Sequence, residues 1–221
     1  WAAKTPDAVC IAERDGDDWA ELTYAQVWDL TRGIATALVG RDLGPDRPIM
    51  IISGNSVAHA LLTLGAQYAG IPTVPVAEQY GLIPGAHPTL SFCAGLVKPG
   101  MVFAEDGDAF AAALALPCFD GAERVSVRNL PDGATAYAAL SDTAPSPEAD
   151  AANAAVTLGT VAKILMTSGS TSSPKGVLTT HRMMCTNQTQ LAQALPFLTA
   201  RPPRIVDWLP WNHVFGGSHN F

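Results

Sequence analysis

The run Pro48-Ile-Met-Ile-Ile52 is apolar at every position and only five residues long. A strand with one wet face alternates polar and apolar residues, so an unbroken short run needs cover on both faces. Thr73 to Val76, Met101 to Ala104, Arg124 to Val127, Lys163 to Met166 and Ile205 to Trp208 are further short strand candidates. Helical signals lie between them. The clearest starts at Thr23, where Thr23 and Gln26 have the spacing of a capping box. Tyr24, Val27, Trp28, Leu30, Ile34, Ala37 and Leu38 then form a helical stripe, and Gly40, Gly44 and Pro45 offer a stop. Other helical stretches are Val57 to Gly70, Thr89 to Leu96, Asp108 to Leu116 and His181 to Leu195. Short apolar strands alternating with helices predict an α/β fold with a largely parallel sheet flanked by helices. The stretch Ser141 to Ala155, rich in Ala, Pro, Asp and Ser, reads as a surface linker. It divides the chain into an N-terminal subdomain, 1–150, and the start of a second, 151–221.

Composition narrows the function classes. The chain has 221 residues, 48% of them hydrophobic, enough for a substantial core. Its 13 basic residues are scattered and its net charge is −7, which argues against nucleic acid or an anionic membrane as partner. Any phosphate must therefore be held locally. The apolar window Val57 to Ala77 is interrupted by His59, Gln67, Pro72 and Pro75, and reads as a helix and a strand, not a membrane span. Cys10, Cys93, Cys118 and Cys185 show no paired spacing and read as reduced packing residues of a cytoplasmic protein. The five histidines have no metal-ligand spacing, so no metal site is expected. His59 and His87 read as structural, and His181 as a helix start.

The chemistry concentrates after Ile164. Ile164-Leu-Met is followed by ten residues, Thr167 to Gly176, dominated by Ser, Thr and Gly. Gly169 lets backbone amides approach an anion closely. The hydroxyls of Thr167, Ser168, Ser170, Thr171, Ser172 and Ser173 can each donate to a phosphate oxygen. Lys175 adds a positive charge and Pro174 restricts the backbone before it. The helical stretch His181 to Leu195 follows the loop. The spacing matches neither a Walker loop nor a dinucleotide fingerprint. A Ser/Thr-rich linker that happens to contain a lysine is the alternative. The absence of acidic residues and the buried strand in front favour a polyphosphate.

Thr167-Ser-Gly-Ser-Thr-Ser-Ser-Pro-Lys-Gly176 resembles the phosphate-binding signature of the adenylate-forming superfamily, Ser/Thr-Ser-Gly-Ser/Thr-Thr-Gly-x-Pro-Lys-Gly. That superfamily comprises acyl-CoA synthetases, adenylation domains of peptide synthetases and luciferases. Ser172 stands where glycine is common. Leu22 to Gln26, Pro48 to Ser56 and Tyr68 to Val76 resemble earlier family segments in the same order. Asp207-Trp-Leu-Pro-Trp-Asn-His-Val-Phe-Gly-Gly217 resembles the family's Leu-Pro-x-x-His motif. Carried over by position, His213 lies beside the carboxylate to be activated, and Trp211, Phe215, Gly216 and Gly217 border the acyl pocket. An imidazole can donate to a carboxylate, and glycines leave room for a flat ring. The Trp-Asn-His and double-glycine pattern is most similar to feruloyl-CoA synthetase-like members, which act on aromatic acids. His219 reads as a turn histidine.

The resemblance implies the partial N-terminal domain of the adenylate-forming fold. It also implies two half-reactions: a carboxylic acid attacks ATP, with Mg²⁺ held mainly by the phosphates, to give acyl-adenylate and pyrophosphate; coenzyme A then takes the acyl group. Residues Thr167 to Lys175 would hold the β- and γ-phosphates, with Thr171 and Lys175 foremost. The family's Tyr-Gly-x-Thr-Glu, Thr-Gly-Asp and C-terminal lysine segments do not occur in these residues. The chain is thus expected to be an N-terminal fragment, inactive alone. A non-catalytic nucleotide-binding domain and a peptide-synthetase adenylation domain are the competing readings.

Overall fold

A computed structural model describes residues 1–167, 173–200 and 203–220. The chain opens with an antiparallel hairpin, β1 (Val9–Asp15) and β2 (Asp18–Thr23), turned at Gly16 with a φ of +61°. Thr23 ends β2 and caps α1 (Tyr24–Leu38): its hydroxyl accepts from the Gln26 amide, and the Gln26 side chain accepts from the Thr23 amide. The predicted capping box is present.

From there strands and helices alternate. β3 (Ile49–Ile51), α2 (Val57–Tyr68) and β4 (Thr73–Pro75) are followed by the short α3 (Gln79–Leu82) and by α4 (His87–Val97). β5 (Met101–Asp106), α5 (Ala111–Leu114), β6 (Glu123–Arg128) and β7 (Thr135–Ala136) come next, then α6 (Ala138–Ser141) and α7 (Pro147–Ala155). β8 (Val161–Thr167), β9 (Lys175–Thr180), α8 (His181–Ala194) and α9 (Phe197–Ala200) complete the order. One seven-stranded sheet runs β7-β6-β5-β3-β4-β8-β9, parallel except for β9, which returns antiparallel to β8.

The unbroken apolar strands are covered on both sides, as their composition requires. Ile49 and Ile51 face the cluster containing Ile34, Leu38, Leu62, Phe103 and Val125. Met50 and Ile52 face the opposite cluster, with Val74, Leu90, Val102 and Phe119. The two helical layers thus fix β3 in the middle. α1 and α2 pack closely because Gly65 has no side chain; a Cβ there would lie 2.5 Å from Ile34 Cγ2. Gly65→Ala should therefore cost about 1–3 kcal/mol, read as a lowered urea midpoint with unchanged slope.

Three sequence expectations need correction. Ser141 to Ala155 is not a linker: Ser146 caps α7, and Asp150 on it receives Arg32 Nε and Nη2 at 2.9 and 2.6 Å and the Tyr68 hydroxyl at 2.8 Å. These contacts dock α7 on α1 and α2. The expected helix 108–116 shrinks to α5. The helix expected over 181–195 is present as α8, and Lys175–Thr180 before it, left unassigned by the sequence pattern, forms strand β9. Ile205 to Trp208 forms no strand; Val206 is 86% exposed, with no described strand beside it.

Candidate active site

Parallel strands present ligand sites beyond their carboxyl ends. The Ser53-Gly-Asn55 turn leaves β3 at that end, and Val76 to Gln79 leaves β4 beside it. The segment 207–217 crosses these turns and is pinned there by Asn55. The Asn55 amide donates to the Leu209 carbonyl at 2.8 Å, and its oxygen accepts from the Trp211 amide at 3.0 Å. Asp207 ties the turn internally, accepting from the Leu209 amide at 3.1 Å and from the Trp211 indole at 2.7 Å. A cleft of about 230 Å³ opens between the two turns and this segment, lined among others by Ser53, Asn55, His59, Glu78, Asp207 and Asn212.

Trp211 is buried and stacks edge-on against His59, centroids 5.0 Å apart. His59 is itself buried. Its Nδ1 meets the Gly54 carbonyl at 3.0 Å, and a carbonyl can only accept, so the proton sits on Nδ1. Burial, with Lys163 nearby, lowers the ring pKa to about 4 against the pull of the Gly54 carbonyl. The ring is neutral near pH 7. Beneath Trp211 lies Lys163, 2% exposed on β8, donating from Nζ to the Gly217 carbonyl. Burial pushes its ammonium down to about 8. Asn187 of α8 holds the next carbonyl, Ser218, at 2.9 Å.

The expected site residues fall into three groups. Ser168, Gly169, Ser170, Thr171 and Ser172 lie outside the described residues. Thr167 and Lys175 stand opposite each other at the ends of β8 and β9, with the Thr167 hydroxyl 3.5 Å from the Lys175 carbonyl; Lys175 and Ser173 are exposed. In the 207–217 segment, His213 and Phe215 are exposed, and His213 Nδ1 accepts from the Phe215 amide at 3.4 Å. Gly216 and Gly217 are buried against their own turn. A Cβ on Gly216 would lie 2.5 Å from the Pro210 carbonyl oxygen, and one on Gly217 would meet that of Trp211. The turn itself uses the room these glycines leave.

Sequence reasoning passed over Asn55, His59 and Lys163. His59, read as a structural histidine, lines the cleft as well as the core. Lys163 carried a usable signal: a lone charge in the otherwise apolar Val161–Met166 run. Such a residue is expensive in a buried strand and invites the question of what it holds.

The family profile described as AMP-binding enzyme matches residues 1–221. The chain belongs to that family. It is 30% identical over 183 residues to 3-[(3aS,4S,7aS)-7a-methyl-1,5-dioxo-octahydro-1H-inden-4-yl]propanoyl:CoA ligase of Rhodococcus jostii (strain RHA1), a match covering 77% of this chain and 34% of the ligase. It is 31% identical over 181 residues to a linear gramicidin synthase of Brevibacillus parabrevis, covering 81% of this chain and 3% of that protein. Among solved structures, a fatty acyl-adenylate ligase from L. pneumophila in complex with acyl adenylate and pyrophosphate superposes with a TM-score of 0.70 at 18% identity, covering 97% of this chain and 34% of that one. The chain spans about a third of the length of the Rhodococcus ligase. The α/β fold is that of the N-terminal part of adenylate-forming enzymes. Among the described residues, no helix is long and apolar enough to cross a membrane, and no three His, Cys, Asp or Glu side chains gather to hold a metal ion.

Proposed function

We propose that this chain supplies the phosphate loop and one wall of the acid site of an acyl-CoA synthetase. The full-length enzyme would join a carboxylic acid to the α-phosphorus of MgATP, release pyrophosphate and pass the acyl group to coenzyme A. One observation carries the reading: a single strand serves both halves of the site. β8 ends at Thr167, where the Ser/Thr loop begins, and four residues earlier its Lys163 grips the 207–217 segment. At a strand rise of about 3.3 Å per residue the two points are about 13 Å apart. Thr167, Ser173 and Lys175 frame the loop with hydroxyls and one cation and no carboxylate, a donor set suited to the β- and γ-phosphates. Magnesium would enter with the nucleotide, since its hard coordination sphere is readily filled by phosphate oxygens and water.

His213 and Phe215, both exposed at the rim of the turn, are the residues we assign to the carboxylate and the acyl group. Donation from the His213 ring would hold the carboxylate as its oxygen attacks phosphorus. The similarity to linear gramicidin synthase favours a second reading, an adenylation domain that charges a carrier thiol. ATP–pyrophosphate exchange by the full-length enzyme with aromatic, aliphatic and amino acids, followed by coenzyme A thioester formation, separates the two. Exchange plus thioester is the expected result. Exchange that coenzyme A cannot discharge would transfer the chain to the second reading, and no exchange with any acid would overturn both.

A further inference from the structure

We propose that Lys163 is a positioning residue for the acid substrate, a latch by which β8 fixes the turn carrying His213 and Phe215. The inference rests on the acid-activating reading above. A small cavity of about 10 Å³, the scale of one water molecule, separates α2, β4, β8 and the turn. His59, Thr63, Thr73, Lys163, Trp211 and Gly217 line it, and none of them is a carboxylate. Lys163 is thus a buried cation with no acidic neighbour there, an arrangement that costs stability unless its hydrogen bonds are made. The described acceptor is the Gly217 carbonyl, 54 residues further along the chain. The Thr63 and Thr73 hydroxyls are buried and have no partner among the described residues, so the ammonium sits among polar groups that other contacts do not use.

The position of the bond gives it leverage. Asn55 holds the first half of the turn at Leu209 and Trp211, and Asn187 holds Ser218 behind it. Between those points lie His213, exposed, and Gly216 and Gly217, whose backbone runs against the carbonyls of Pro210 and Trp211. The Gly217 amide donates to the His213 carbonyl at 2.8 Å, so a carbonyl fixed on Gly217 fixes the peptide that bears the histidine. Lys163 does this from the strand that also delivers Thr167 to the phosphate loop. The acid site and the phosphate site therefore share a rigid reference, which a reaction between bound acid and bound nucleotide requires.

The test is Lys163→Met in the full-length enzyme. Methionine keeps the unbranched apolar stem, ends one atom short of the ammonium and removes the donor. The expected result is a rise of about tenfold or more in KM for the acid, with KM for ATP changed by less than about twofold and thermal stability equal or higher. Amide hydrogen exchange should quicken in peptides covering 209–218 and stay unchanged in α2 and β5. Lys163→Gln, uncharged and shorter by one atom, gives the same split if reach to Gly217 is what matters. An unchanged acid KM in either folded variant overturns the proposal. So does an equal rise in both KM values, or a lowered melting temperature with no change in either. Wild-type exchange measured alongside separates this failure from that of the acid-activating reading itself.

Discussion

Lys175→Ala in the full-length enzyme is expected to slow ATP–pyrophosphate exchange by about 10²- to 10³-fold, the usual cost of one preorganised donor to a developing charge. The loss should fall on kcat more than on acid KM, because charge on the phosphates grows in the transition state. Folding should be untouched. Lys175 is exposed at the first position of edge strand β9, and its backbone pairing with Thr167 does not depend on its side chain. A surface change of that kind shifts stability by about 0.5 kcal/mol at most. Exchange within about threefold of wild type, in a protein with an unaltered melting curve, would return the loop to the status of a linker.

The second large effect concerns acid. The folded-state pKa of His59, about 4, lies below its ordinary value of 6.5. Between those pH values the unfolded chain takes up a proton that the native chain refuses, so stability falls as pH falls. Above pH 6.5 the neutral ring contributes its full effect; below pH 4 the loss is complete, on the order of 3 kcal/mol. Urea unfolding at pH 7.0 and pH 4.5 measures it, with the difference expected to shrink in His59→Asn. Asparagine can still donate toward the Gly54 carbonyl but does not titrate. An equal pH dependence in the variant would mean that other groups drive acid unfolding. Because His59 carries Trp211 on its edge, the native-state Trp211 fluorescence should change around pH 4, where the folded ring takes up its proton.

The sequence announced the central sheet well, because the apolar strands and the capped α1 carry their signals locally. Ile49 to Ile52 needs no knowledge of its neighbours to be read as buried. α7 is different. Among its residues Ala149 is buried, and its hold on the fold is polar: Asp150 to Arg32 and Tyr68, and Asn153 to the Tyr68 carbonyl at 3.0 Å. Partners 82 and 118 residues away leave no periodicity to read. β9 is likewise a strand by virtue of pairing with β8, since its first four residues are exposed and show no buried face. Ile205 to Trp208 errs the other way, a short stretch with β-branched and aromatic residues that lacks a described strand to pair with. In the candidate site, motif order pointed to the 207–217 segment, whereas the groups that hold it in place, Asn55 and His59 around the start of α2 and Lys163 on β8, lie far from it in the sequence and meet it only on folding.

The reversed direction of β9 has a thermodynamic consequence. Thr167 and Lys175 are cross-strand partners, so the ladder itself holds the two ends of the intervening segment about 5 Å apart. Bringing chain ends together is an entropic cost that a ligand would otherwise have to meet from its own contacts. Here the antiparallel ladder meets it during folding. On the proposed function, more of the interaction with a polyphosphate would then remain for affinity and for the charge that develops as pyrophosphate departs.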